Sequence, residues 1–96
     1  MLKMPEKKSK NPKIEIYTAS YCPYCDRAKE LLTRKGAKFI SYDVENNNLL
    51  RQECVERSGR RTIPQIFIDN FHVGGFDDLY ALDQAKKLDF LLQIQD

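Results

Sequence analysis

Cys22 and Cys25 stand three positions apart in Cys22-Pro23-Tyr24-Cys25, where a strand pattern gives way to a helix pattern. Thiols at this spacing can close a small disulfide ring or share a metal ion. Upstream, Ile14-Glu15-Ile16-Tyr17-Thr18 alternates apolar and polar side chains and is rich in β-branched and aromatic types, which predicts a strand. Downstream, Pro23 takes the first helical position, where its missing N–H costs nothing. Ala28, Leu31 and Leu32 make one apolar face, and Arg34 and Lys35 suit the negative end of the dipole. Gly36 is placed to stop the helix.

The rest of the chain continues the alternation. Phe39 to Val44 predicts a second strand, and Asn46-Asn47-Asn48 supplies loop and N-cap chemistry. A helix over Asn48 to Ser58 carries Leu50 and Cys54 on one stripe and ends at Gly59. Gln65 to Asp69 predicts a third strand opened by Pro64. Asp69-Asn70 turns it into Phe71-His72-Val73, and Gly74-Gly75 breaks that fourth strand. Asp77-Asp78 begins a helix containing Leu79, Tyr80 and Leu82. Leu88, Phe90, Leu91, Leu92 and Ile94 predict a last short helix. The order β-α-β-α-β-β-α, plus that short helix, defines an α/β fold. The first two strands are parallel through a right-handed crossover and the hairpin is antiparallel. The expectation is a four-stranded mixed sheet with helices on both faces.

With 96 residues the chain suffices for one domain. No apolar stretch approaches the roughly 20 residues of a membrane span, and the start lacks the apolar core of a secretory signal. Residues 1–13 hold five lysines against Glu6, a local charge of +4, so residues 14–96 sum to −2 within the total of +2. The basic character therefore belongs to a polar tail, residues 1–12, expected to be disordered. Three cysteines, an odd count, fit a secreted disulfide scaffold poorly. The expected setting is a reducing cytoplasm, where a close cysteine pair is catalytic or metal-binding.

Placement makes the two thiols unequal. As N-cap, Cys22 can accept hydrogen bonds from the N–H groups of Tyr24 and Cys25, and the helix end favours an anion there. Cys25 lies one turn inside and is more shielded. Cys22 is the expected nucleophile and Cys25 the resolving thiol. Cys54, on an apolar stripe, is expected to be a buried, inert hydrophobe. His72 is expected at the surface, and no His–Cys or His–acid arrangement recurs that would suit a hydrolase.

Three segments, in order, carry a resemblance. Cys22-Pro23-Tyr24-Cys25 after Tyr17-Thr18 is similar to the active site of dithiol glutaredoxins. Thr62-Ile63-Pro64-Gln65 resembles that family's cis-proline loop, and Gly74-Gly75-Phe76-Asp77-Asp78 its glutathione-binding turn. Arg57-Ser58-Gly59-Arg60 and Asp78 to Asp83 look like bacterial class-one glutaredoxins of the small, three-type kind. The likeness covers residues 13–96 and implies a thioredoxin-like fold. It further implies a glutathione-dependent reductase of protein disulfides and protein–glutathione mixed disulfides. Glutathione would be an electron-donating co-substrate, with no cofactor bound and no metal. The residues expected to hold it are Tyr24, Arg60, Thr62, Ile63, Pro64, Gly75, Phe76, Asp77 and Asp78. Arg60 or Arg61 would take its glycyl carboxylate, and Asp78, with Asp77, its α-amino group. Expected partners are disulfide-bonded or glutathionylated proteins, ribonucleotide reductase among them, for a monomer without nucleic-acid or membrane partners. The alternative is an iron–sulfur cluster carrier with Cys22 and glutathione as ligands, which Pro23 disfavours. Many members carry a lysine three residues before the nucleophile. Here that position is Ala19, so Arg27 or Arg60 is expected to support the thiolate beside the helix end.

Overall fold

The computed structural model describes residues 12–93. The elements run β1 (Ile14–Thr18), α1 (Pro23–Arg34), β2 (Ile40–Asp43), α2 (Asn48–Ser58), β3 (Gln65–Ile68), β4 (Phe71–Gly74), α3 (Phe76–Gln84) and α4 (Leu88–Leu92). They form one mixed sheet in the order β2-β1-β3-β4. β1 is parallel to β2, with Tyr17 opposite Tyr42, and antiparallel to β3, with Ile16 opposite Ile66. β3 and β4 are antiparallel, and their register shifts between Ile66 and Phe67. The last helical expectation at Ile94, and residues 1–11 of the basic tail, lie outside the described residues.

Local chemistry sets each boundary. Asn47 caps α2 by accepting from the N–H of Leu50 at 3.0 Å. Gly59 closes that helix at φ 72°, a left-handed position. Asp69 (φ 49°) and Asn70 (φ 68°) both take left-handed conformations, as a two-residue hairpin turn of the right twist requires. The turn is tied to the start of β1: Asp69 Oδ1 accepts from the N–H of Lys13 at 2.8 Å.

The alternation in Ile14–Thr18 predicts one buried face, whereas all five residues are buried. The reason is position. β1 lies between β2 and β3, and helices cover both sides of the sheet. Ile14, Ile16, Ile66 and Ile68 pack on one side with Ala28, Leu31 and Leu32 of α1, Leu79 of α3 and Leu88, Leu91 and Leu92 of α4. Tyr17 and Phe67 pack on the other with Cys54 and Leu50 of α2. Glu15 therefore points under α2, not to water. Arg57 meets it there, Nη1 and Nη2 donating to its two oxygens at 3.1 and 3.2 Å, and Tyr42 donates at 2.8 Å. Burial pushes the Glu15 carboxyl up, but the Arg57 and Tyr42 hydrogen bonds outweigh it and leave it below its ordinary value. Cys54 is buried in this second cluster, and burial raises its thiol.

Candidate active site

The sheet delivers Thr18 to the end of a buried strand, and the chain then turns into α1 with Cys22 as N-cap. Cys22 has extended backbone, φ −108° and ψ 104°, and Pro23 opens the helix. The Cys25 N–H donates to Cys22 Sγ at 3.1 Å. That is one of the helix's orphan donors, spent on sulfur. The Cys22 thiol in turn donates to the carbonyl of Ile63 at 3.8 Å. Both cysteines are free thiols. Cys22 is 8% exposed and Cys25 0%, so only Cys22 meets solvent. Burial, reinforced by the hydrogen bond with Cys22, pushes the Cys25 thiol up to about 11.

Ile63 belongs to the loop before β3, and its peptide bond to Pro64 is cis. Opposite lies the start of α3. Gly74 has φ +117°, and a Cβ placed there would meet Asp78 Oδ2 at 2.2 Å. At Gly75 a Cβ would sit 3.4 Å from the Pro64 carbonyl, so the two loops approach closely. Asp78, three residues on, reaches back to accept from the Gly75 N–H at 2.9 Å and from Arg60 Nη1 at 3.1 Å. The Gly75 bond, with help from Arg60, holds its carboxyl below the usual carboxylate range. Between the loops is an open groove of about 290 Å³, lined by Tyr24, Arg60, Thr62, Ile63, Pro64, Gly75, Phe76, Asp77 and Asp78. These are the nine residues singled out from sequence. Three segments far apart in the chain thus share one groove next to Cys22.

Several contacts differ from expectation. Arg61 lies apart from the groove, in a surface hollow with Asn48, Arg51, Gln52, Val55 and Glu56. Asp78, by contrast, does what an aspartate at a helix start is expected to do, capping α3, and it also pairs with Arg60. Arg27 stacks over the Tyr24 ring, its Cζ 5.3 Å from the centroid. Arg27 and Arg60 thus meet Tyr24 and Asp78, and the direct contact to the Cys22 sulfur comes from the helix end, through the Cys25 N–H. His72 is half-buried, stacked on Phe67 at 4.9 Å and hydrogen-bonded to Gln65 at 2.8 Å. Sequence reasoning missed Gln65 as a contributor. Its one signal was a polar residue opening an apolar strand, Gln65-Ile66-Phe67-Ile68.

Comparison with known proteins decides the family. The glutaredoxin family profile matches residues 14–73, more than half of the chain. The chain belongs to the glutaredoxin family. It is 55% identical over 80 residues to glutaredoxin 3 of Escherichia coli K12, covering 83% of this chain and 96% of that protein. A probable glutaredoxin of Synechocystis is 56% identical over 81 residues, covering 83% and 92% of the two chains. Among solved structures, the Brucella melitensis glutaredoxin is similar with a TM-score of 0.77 at 55% identity, covering 90% and 94% of the two chains. A buckwheat glutaredoxin–glutathione complex is similar with a TM-score of 0.79 at 26% identity, covering 85% and 77%. The fold is thioredoxin-like, as these glutaredoxin neighbours have it. Like other glutaredoxins, this one is a thiol–disulfide oxidoreductase. Among the described residues, no helix is long and apolar enough to cross a membrane.

Proposed function

We propose that this glutaredoxin uses glutathione to reduce protein disulfides and protein–glutathione mixed disulfides, with Cys22 as nucleophile and Cys25 as resolving thiol. The observation that carries the reading is the groove beside Cys22, in which the loop of Thr62 to Pro64 faces the turn of Gly75 to Asp78. Its chemistry suits a γ-glutamyl tripeptide. The Ile63 backbone offers strand-like pairing to an extended peptide. The first-turn N–H groups of Phe76 and Asp77, free of intrahelical partners, can receive a carboxylate. Arg60 can take the second carboxylate, and the Asp78 anion can face the α-amino group.

With a glutathionylated protein, the Cys22 thiolate attacks the glutathione sulfur. The S–S bond to the protein breaks, the protein leaves as thiolate and takes a proton, and Cys22 holds glutathione. A second glutathione thiolate attacks the glutathione sulfur of that adduct, freeing Cys22 and producing glutathione disulfide. With a protein disulfide, Cys22 first joins one protein sulfur. Cys25 then attacks Cys22 Sγ, releasing the reduced protein and leaving a Cys22–Cys25 disulfide, which two glutathione molecules reduce. Ribonucleotide reductase is one protein substrate of this chemical class.

Turnover of a small glutathionylated disulfide, with glutathione as sole reductant, tests the reading. Saturable dependence on glutathione is expected. Turnover with dithiothreitol but none with glutathione would refute it. One related solved structure, 57% identical with a TM-score of 0.67, bears the description metal binding of glutaredoxins. It motivates one control. Anaerobic reconstitution giving a stable chromophore, one cluster per two chains, would favour a cluster carrier with Cys22 as ligand.

A further inference from the structure

Gln65 is the single polar residue of β3 and is 1% exposed. A buried amide in an apolar strand is tolerated when its hydrogen bonds are made. Its Nε2 donates to the Thr62 carbonyl at 3.0 Å and to Thr62 Oγ1 at 3.2 Å. Its Oε1 lies 2.8 Å from His72 Nε2. The orientation is forced. The Thr62 carbonyl can only accept, so the NH₂ group must face the loop. Oε1 then faces His72 and can only accept, so His72 must carry a proton on Nε2. Stacking on Phe67, at 4.9 Å and 26° between planes, holds the imidazole in place. The chain of bonds runs from the β4 hairpin, through a buried strand position, to a residue that lines the groove.

We propose that Gln65 is a positioning residue for the reaction. With His72 behind it, Gln65 fixes Thr62, occupying the Thr62 carbonyl and one lone pair of its hydroxyl. The hydroxyl hydrogen is thereby left to donate to a carbonyl or carboxylate oxygen of the glutathione moiety in the groove. The inference rests on the glutathione reading of that groove. It assigns a specificity role to two residues that do not touch either cysteine in the reaction.

The test is steady-state kinetics of the full-length Gln65→Met and His72→Phe variants with glutathione and a glutathionylated substrate. Methionine keeps the length and apolar body of glutamine and removes every bond. Its KM for the glutathionylated substrate is expected to rise about tenfold, the scale of a lost buried hydrogen bond, while kcat stays within about twofold. Phenylalanine keeps the stack on Phe67 but has neither ring nitrogen, which removes the bond to Gln65 Oε1, so a smaller rise of about threefold is expected. Nitrogen-15 NMR of the wild-type protein supplies a readout that needs no variant: the neutral imidazole of His72 should be protonated on Nε2. An Nδ1-protonated His72 would overturn the proposal, as would Gln65→Met with unchanged KM or with a loss confined to kcat. Failure of the groove reading itself looks different, as a wild-type rate indifferent to glutathione, and would remove this inference with it.

Discussion

At the scale of the residue, the two thiols differ because one caps a helix and the other is sealed inside it. Cys25 is fully buried and its thiol is raised to about 11. A thiol raised so far carries on the order of a hundredfold less thiolate near pH 7 than a free one. Brief treatment of the native protein with iodoacetamide at pH 7, mapped by mass spectrometry, should therefore modify Cys22 and spare Cys25 and Cys54. The same burial sets a sign for stability. The folded state holds the Cys25 proton more tightly than the unfolded chain, so its contribution is complete below the ordinary thiol range of ~8.5 and falls as pH rises toward 11. Urea denaturation should show this alkaline decline, and Cys25→Ala should lessen it, the buried Cys54 thiol supplying a part of the same sign. The order of the two cysteines was legible in the sequence because it depends only on helix position. The occupations of Arg27 and Arg60 were not. Each is decided by a side chain it meets in space, Tyr24 and Asp78 respectively.

At the scale of the element, the start of α3 combines a left-handed glycine with a returning aspartate. Gly74 leaves no room for a side chain between the β4 end and Asp78, and its φ of +117° disfavours one in any case. Gly74→Ala should lower stability by about 2 kcal/mol, through strain and loss of the Asp78 bond to Gly75. Urea midpoints would measure it, and an unchanged midpoint would contradict this account of the turn. Turn and cap signals were the most readable part of the fold. Asp69-Asn70, Asn47 and Gly59 each bend or cap the chain within a few residues of themselves, although Asp69 also reaches the distant Lys13 N–H. The alternation of β1 misled for the opposite reason. Whether a polar strand residue faces water depends on which helix crosses above it. Glu15 lies under α2, so it is buried with Arg57.

At the scale of the whole molecule, the Glu15–Arg57 pair fastens α2 to the middle of the sheet. Arg57 also stacks over Phe67, with Cζ 4.0 Å from its ring centroid, and donates to Tyr17 at 2.9 Å. Arg57→Met leaves the buried Glu15 carboxylate with only Tyr42 and Lys13 as partners and should cost about 2–3 kcal/mol by denaturant titration. Glu15 is held below its ordinary value in the fold, so its stabilising contribution is present above pH ~4.3 and is lost on acidification. The variant should lose that part of the acid dependence. The cysteines, both groove loops and every element named above fall within residues 12–93. Removal of residues 1–11 should therefore leave turnover within about twofold, although it takes four lysines and Glu6 with it. The central claim is the division of labour between Cys22 and Cys25 in a glutathione-fed reaction. Its most direct test is glutathione-driven reduction of a glutathionylated substrate by the wild-type, Cys22→Ser and Cys25→Ser proteins side by side. The account predicts no turnover above background for Cys22→Ser and retained turnover for Cys25→Ser. Full activity in Cys22→Ser would contradict it.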